Sequence, residues 1–180
     1  LLDHPEGLWI GRCDPEKNLE AVSTEDGRIH VHIPEMASWV RSIDARSEAA
    51  SLEPRKAWPL ILNAGRHMDT NANTLMRDPA WNEGRRACTL AMHPKDAEIL
   101  GLRDGQKVQV TTETGSVEVE LEVSASARRG MVILPHGFGL VYEGTVCGAN
   151  VNRLTSSTHR DPVAGTPLHR YVACRVASSE

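Results

Sequence analysis

Val117, Val119, Leu121 and Val123 alternate with Glu118, Glu120 and Glu122, and this alternation narrows what the chain can fold into more than any other feature. A period of two sends one set of side chains to a buried face and the other to water, so residues 117–123 are predicted to form a half-buried strand. The flanking sequence keeps the same discipline. Residues 88–92 are a short apolar run that reads as a buried strand, and Pro94 opens a helical pattern that ends at Leu100 before Gly101. Asp104-Gly105 turns the chain into Lys107-Val108-Gln109-Val110, and Glu113-Thr114-Gly115 turns it back. Residues 131–134 form a further apolar strand, which runs into Pro135-His136-Gly137-Phe138-Gly139. The unit is strand, short helix, hairpin, strand, loop.

Short strands joined by tight turns leave no room for the long crossovers of an open parallel sheet, so the unit is expected to close as a small barrel. A length of 180 residues supports one good core with an appended segment. The opening "LLDHPEGLWIG", without an initiating Met, reads as the middle of a longer protein. No apolar run approaches the roughly 18 residues of a membrane span, and nothing resembles a signal peptide; the expected location is cytoplasmic. A net charge of −4 argues against a general binder of nucleic acid or anionic membrane. Arg outnumbers Lys, which favours forked recognition of phosphate or carboxylate, although surface Arg is the commoner role. Cys13, Cys88, Cys147 and Cys174 are scattered, with no C-x-x-C pair, and read as reduced structural thiols rather than a metal site.

Before the barrel, residues 28–33 read as a strand with His30 and His32 on one face, and a solvated face explains that pair better than a metal site. Pro34 begins a helical pattern with Met36, Val40 and Ile43 on one side. Residues 44–56 are polar, rich in Ser and Ala, and read as a linker. Residues 1–56 are therefore expected to be the end of a preceding domain plus linker, and residues 57–180 the barrel.

Two loops carry the polar chemistry. The apolar strand Leu60-Ile61-Leu62 runs into "NAGRHMDTNANTLMRDPAW", where Gly65 lets backbone approach a ligand and Arg66 offers the fork that matches a diphosphate. A polar loop at a strand end is the plainer reading of the same residues. His136, framed by Pro135 and Gly137, would present its imidazole, or Phe138 its ring, to a flat ligand; a surface turn explains it equally well. The Glu ladder and the helical Asp96 and Glu98 read as solvated faces.

The run "CTLAMHPKDAEILGLRDGQKVQVTTETGSVEVELEVSASARRGMVILPHGFG" resembles the molybdopterin-dinucleotide-binding domain that closes the large subunit of molybdopterin oxidoreductases such as formate dehydrogenase and periplasmic nitrate reductase. "AGRHMDTNANTLMRDPAW" is similar to that family's Gly-Arg, then Asn-Thr signature. "GANVNRLTSSTHRDPVAGTPLHRYVACRV" resembles its closing Asn, Leu-Thr, Asp-Pro and basic-residue pattern. The three motifs span residues 58–176 in the family's order.

The resemblance implies a mainly β chain, a six-stranded double-psi β-barrel with short helices, preceded by a small strand-helix segment and linker. It implies a ligand, molybdopterin guanine dinucleotide carrying Mo or W, present as two copies in the parent enzyme. Its contacts would come from Gly65, Arg66, His67, Thr70, Asn71, Asn73, Thr74, His136 and Asn152. His169 or Arg170 stands where the family often carries Lys. Arg66 would meet phosphate, the amides ring edges or phosphate oxygens, and the histidines would close the site. The metal's ligand and an iron-sulfur cluster belong to upstream domains of the same polypeptide, with an electron-transfer subunit as a further partner. The parent reaction would be a two-electron redox step on a small molecule, formate-dehydrogenase-like, and the fragment alone inactive. The rival reading is a double-psi barrel that recognises protein or substrate without a pterin; only the cofactor reading requires residues 65–74, 136–138 and 150–152 to converge on one rim.

Overall fold

The computed structural model describes residues 3–4, 7–9, 11–51, 53–66, 73–82, 84–158, 160–167 and 169–179, with the side chains of Ser51 and Thr74 outside that description. The chain divides into two compact units, Leu1–Ser42 and Ile43–Glu180.

The first unit holds two short helices. Helix α1 (Pro15–Glu20) starts on Asp14, whose carboxylate accepts from the Glu16 and Lys17 N–H groups. Helix α2 (Pro34–Ser42) follows the predicted amphipathic pattern and buries none of its residues. The strand expected at residues 28–33 is absent: that segment is irregular, with Ile29 and Val31 exposed, because alternation makes a strand only where a neighbouring strand is there to pair with it. His30 instead bonds the Asp26 carboxylate at 2.9 Å.

In the second unit the expected linker contains helix α3 (Ala45–Ser51), as its Ala-rich composition permits. Six strands then close a barrel: β1 (Leu60–Gly65), β2 (Thr89–Met92), β3 (Lys107–Thr111), β4 (Ser116–Val123), β5 (Met131–Pro135) and β8 (Val172–Ser178). The order around the ring is β1-β5-β2-β4-β3-β8. The pairs β1/β5 and β2/β4 are parallel, and every other pair is antiparallel. Closure removes both sheet edges. A separate hairpin, β6 (Val141–Tyr142) and β7 (Thr145–Val146), stands outside the ring.

The two-residue period fills the barrel. Leu62, Leu90, Met92, Val108, Val110, Leu121, Val132, Leu134 and Cys174 are fully buried in one cluster. The glutamates lie on the other face, but they are not simply solvated. Arg86 donates to Glu120 at 2.6 Å and to both Asp104 carboxylate oxygens, and the Thr89 hydroxyl donates to Glu122 at 2.5 Å.

Helix α4 (Pro94–Leu100) is capped by His93, whose ring accepts from the Lys95 N–H, and ends at Gly101 in the left-handed region. Asp96, expected at the surface, is only 7% exposed. Its carboxylate accepts from the Gly130 N–H at 2.7 Å and from Arg129 at 3.3 Å, so it ties α4 to the turn that launches β5. A seven-residue helix shows too little periodicity in sequence to say which way one aspartate points.

Candidate functional site

The topology fixes one rim. Because β1 and β5 run parallel, Arg66 and His136 leave the barrel at the same end, and because β8 runs antiparallel to β1, the segment entering β8 arrives there too. Two main-chain bonds complete the junction: the His136 N–H donates to Gly65 at 3.1 Å, and the Ala64 N–H donates to His169 at 3.0 Å. Tyr171, at φ +60°, donates its N–H to the Asn63 side chain, which sets the approach to β8.

A cavity of about 400 Å³ opens at this rim. Arg66, Asn73, His136, Asn150, Asn152 and His169 give it its polar character, on apolar walls that include Ala64, Leu140 and Val151. No carboxylate stands among the described lining residues.

Arg66 is held rather than free to swing. Its Nη2 donates to Asn73 Oδ1 at 2.5 Å and its Nε donates to His136 Nε2 at 3.3 Å. Asn73 adopts φ +50° at the start of a 3-10 turn over Asn73–Arg77. Gly137, at φ +95°, passes beneath it, and a Cβ there would run into the Asn73 carbonyl. Burial, followed by the charges of Arg66, His169 and Arg170, holds the His136 imidazole below its ordinary pKa.

Asn150 and Asn152 belong to one local device. Asn150 precedes the 3-10 turn Val151–Leu154, and its side chain accepts from the Asn152 N–H at 3.0 Å, leaving the Asn152 side chain exposed at the cavity. The turn chemistry expected of these amides and their place on the cavity wall are therefore both present. Asp161 shapes the approach to His169: its carboxylate accepts from the Val163, Ala164 and Thr166 N–H groups, and the Ala164 bond foremost holds its pKa below the usual carboxylate range.

Of the sequence-predicted site residues, Arg66, Asn73, His136, Asn152 and His169 line one cavity. Gly65 ends β1 between two lining residues but is not itself one, and an added Cβ would make only an ordinary contact with Ile133, so space there does not demand glycine. Arg170 is exposed beside His169 and is not among the lining residues. His67, Thr70, Asn71 and the Thr74 side chain lie outside the described residues. Phe138 is among the residues lining this cavity, yet it is only 1% exposed and packs with Met76 and Ala87 in a second core cluster. Sequence reasoning missed Leu140, which directly follows the glycine-framed loop after β5, whereas Val151 falls within the 150–152 stretch expected at the rim.

A closed barrel whose rim joins a pinned guanidinium, two imidazoles and three amides around a cavity with no carboxylate among its described lining residues has the chemistry of an anion-binding β-barrel. The sequence profile of the Molydopterin dinucleotide binding domain family matches residues 60–173, and the chain belongs to that family. It is 31% identical over 126 residues to the F420-dependent formate dehydrogenase 1 subunit alpha of Methanococcus maripaludis, covering 66% of this chain and 17% of that protein. Acetylene hydratase of Syntrophotalea acetylenica is 31% identical over 93 residues, covering 51% of this chain and 13% of its own. The structure matches acetylene hydratase from Pelobacter acetylenicus with a TM-score of 0.62 at 26% identity, over 73% of this chain and 20% of the other. The chain thus spans a fifth or less of the length of these relatives.

The residues present fit the family's ligand. A molybdopterin dinucleotide offers a diphosphate and hydrogen-bonding ring edges, and the cavity offers a guanidinium fork for the first and amides that both donate and accept for the second.

Proposed function

We propose that this chain is the cofactor-gripping part of a longer molybdopterin oxidoreductase, formate-dehydrogenase-like, which encloses molybdopterin guanine dinucleotide against upstream domains of the same polypeptide. One observation carries the reading: in a chain of net charge −4, Arg66, His136 and His169 meet at a cavity with no carboxylate among its described lining residues. Among those described residues an anion meets donors and neutral groups.

Arg66 binds diphosphate oxygens, with Asn73 holding the guanidinium in place. Asn152 and the amide-bearing loop before Asn73 read ring edges or phosphate oxygens, and His136 and His169 close the site, with Arg170 adding charge from beside it. Leu140 and Val151 exclude water from the same wall, which strengthens each polar contact. When bound, the cofactor supplies the metal centre for two-electron exchange with a small molecule. The metal's protein ligand comes from upstream in this reading: Cys88, Cys147 and Cys174 pack into the second unit's core clusters, and none of them lines the cavity. The chain alone therefore binds without turning over.

Calorimetric titration of the 180-residue chain with diguanosine diphosphate, a guanine dinucleotide with an internal diphosphate, tests the proposal. The expected result is saturable binding that weakens as salt rises and falls roughly tenfold or more in Arg66→Ala, the range of a lost charge-assisted hydrogen bond. Equal binding by wild type and Arg66→Ala would sink it.

A further inference from the structure

We propose that a second groove, beside the first cavity, is a ring-reading subsite in which Glu118, Arg153 and Asn150 recognise a 2-amino-4-oxopyrimidine edge, the hydrogen-bonding face that guanine and pterin share. The inference deepens the cofactor reading and rests on it for the identity of the ligand.

The groove has a volume of about 280 Å³. Pockets for whole drug-sized ligands run from about 300 to 1,000 Å³, so this one suits a single flat heterocycle. Separate pieces of chain wall it. Strand register sets Gln109 opposite Glu118 on the outer face of the β3/β4 ladder, with Ser116 two residues earlier on that face. The 3-10 turn Val151–Leu154 contributes Arg153, and the stretch just before that turn contributes Asn150. These walls are fixed to one another. The Thr112 hydroxyl donates to the Leu154 carbonyl at 2.9 Å, and Gly115 backs so closely onto Arg153 that a Cβ would lie 2.6 Å from its carbonyl oxygen.

The β4 glutamates divide by what holds them. Glu120 accepts from Arg86, and Glu122 accepts from the Thr89 hydroxyl. The side chains of Glu118, Gln109 and Arg153 have no hydrogen-bond or ion-pair partner among the described residues. The fold thus uses two of its three ladder acids for itself and leaves the third lining a groove. Asn150 is half engaged: its oxygen takes the Asn152 N–H, so its amide hydrogens are what it offers a ligand.

A carboxylate accepts in two adjacent positions, and a 2-amino-4-oxopyrimidine presents a ring N–H and an amino N–H side by side, with a carbonyl oxygen beyond them. Glu118 suits the two donors, and Arg153 or the Asn150 amide suits the oxygen. Adenine instead sets an amino N–H beside a ring-nitrogen lone pair, which a carboxylate repels. Asn150 lines both the groove and the first cavity. A molybdopterin dinucleotide carries a ring system at each end of its diphosphate, so a ligand held at Arg66 extends one ring past Asn150 toward Glu118.

Amide NMR titrations of the 180-residue chain with guanosine, neopterin and adenosine, none of which carries a phosphate, test the subsite. The expected result is that guanosine or neopterin shifts the amides of residues 109, 116–118 and 148–153, and that adenosine binds about tenfold or more weakly. Glu118→Gln, which keeps the shape but loses the second acceptor, should weaken the same ligand about tenfold or more. Binding of guanosine assigns the groove to the nucleotide end of the cofactor, and binding of neopterin to the pterin end. Adenosine binding as well as the others, an undiminished affinity in Glu118→Gln, or shifts centred away from the groove overturns the proposal, as does no binding by either ring compound. Glu118 is exposed, and the contrast of guanosine and neopterin with adenosine in the wild-type chain needs no variant to fold. If diguanosine diphosphate binds through Arg66 while neither ring compound reaches the groove, the subsite falls and the diphosphate reading stands. If the ring compounds bind through Glu118 while the dinucleotide is indifferent to Arg66→Ala, the diphosphate reading falls and the subsite stands.

Discussion

The Cys88 thiol accepts a hydrogen bond from the Ala149 N–H at 3.2 Å and donates one to the Ala149 carbonyl at 3.8 Å. Gly148 packs flush against the same side chain and leaves no room for a Cβ, which would lie 2.6 Å from the Cys88 Cβ and 2.7 Å from the sulfur. This clasp joins the threshold of β2 to the segment that carries Asn150 and Asn152. Burial pushes the Cys88 thiol up to about 11 and that of Cys174, inside the barrel, up to about 12. In native protein at about pH 8, iodoacetamide should therefore modify the exposed Cys13 well before Cys88 or Cys174. Peptide mapping by mass spectrometry reads the order. Cys88→Ala orphans the Ala149 N–H and should cost about 1–3 kcal/mol in denaturant unfolding.

Gly137 is needed for two independent reasons, its φ of +95° and the Asn73 carbonyl lying where a side chain would begin. Gly137→Ala cannot relax by moving a flexible side chain, because the obstacle is backbone. The expected cost is about 2 kcal/mol or more, larger than a Gly-to-Ala strain term alone, together with weaker binding of diguanosine diphosphate as Asn73 and Arg66 are displaced. A melting temperature equal to wild type would show that the two loops are not in contact.

Asp96 and Arg129 form one ion pair, yet their loss should not be symmetrical. The Arg129 side chain is 56% exposed, so Arg129→Ala should cost less than about 1 kcal/mol. Asp96→Ala removes the acceptor of the buried Gly130 N–H bond and should cost about 1–3 kcal/mol. Parallel urea titrations separate the two. Equal losses would mean that the ion pair, not the main-chain bond, holds α4 to β5.

Arg86 gives a pH-dependent case. Its hydrogen bonds to Asp104 are the first cause of that carboxyl's lowered pKa, with the Val123 N–H second. A depressed carboxylate contributes stability above its unfolded value and loses it as pH falls through the folded value. Arg86→Gln should therefore be less stable than wild type near neutrality, by under about 1 kcal/mol for a group so exposed, and the gap should narrow as pH drops below 3.8. Thermal melts across that range check both sign and window.

The barrel was legible because its ladders obey a strict period: Val117, Val119 and Leu121 had one available face, and Gly101 and Asp104-Gly105 fixed where α4 ended and β3 began. Residues 28–33 show the limit of the same rule, since alternation describes a face and says nothing of whether a neighbour exists to pair with it. The site divided along similar lines. Arg66 and His136 were found from glycine-framed strand ends and from resemblance, because both signals are local. Leu140 was not, since an apolar residue beside a glycine-framed loop carries no signal of its own; the 150–152 stretch returns to the rim after the Glu143-Gly144 reversal, where left-handed φ values of +47° and +77° fold β6 onto β7. Asp96 was missed for a further reason: its burial depends on Gly130, which its own helix does not contain.

Arg66 and His136 stand 70 residues apart in sequence, and β8, whose entry brings His169, is the last strand of the ring. Closing such long loops makes ring formation a late, cooperative event. The cavity cannot be assembled piecemeal: β8 has to zip against β1 and β3 before His169 reaches the rim. Without β8 the ring stays open between β1 and β3, so a barrel short of this one strand would lose its closure and the wall that carries His169 at the same stroke.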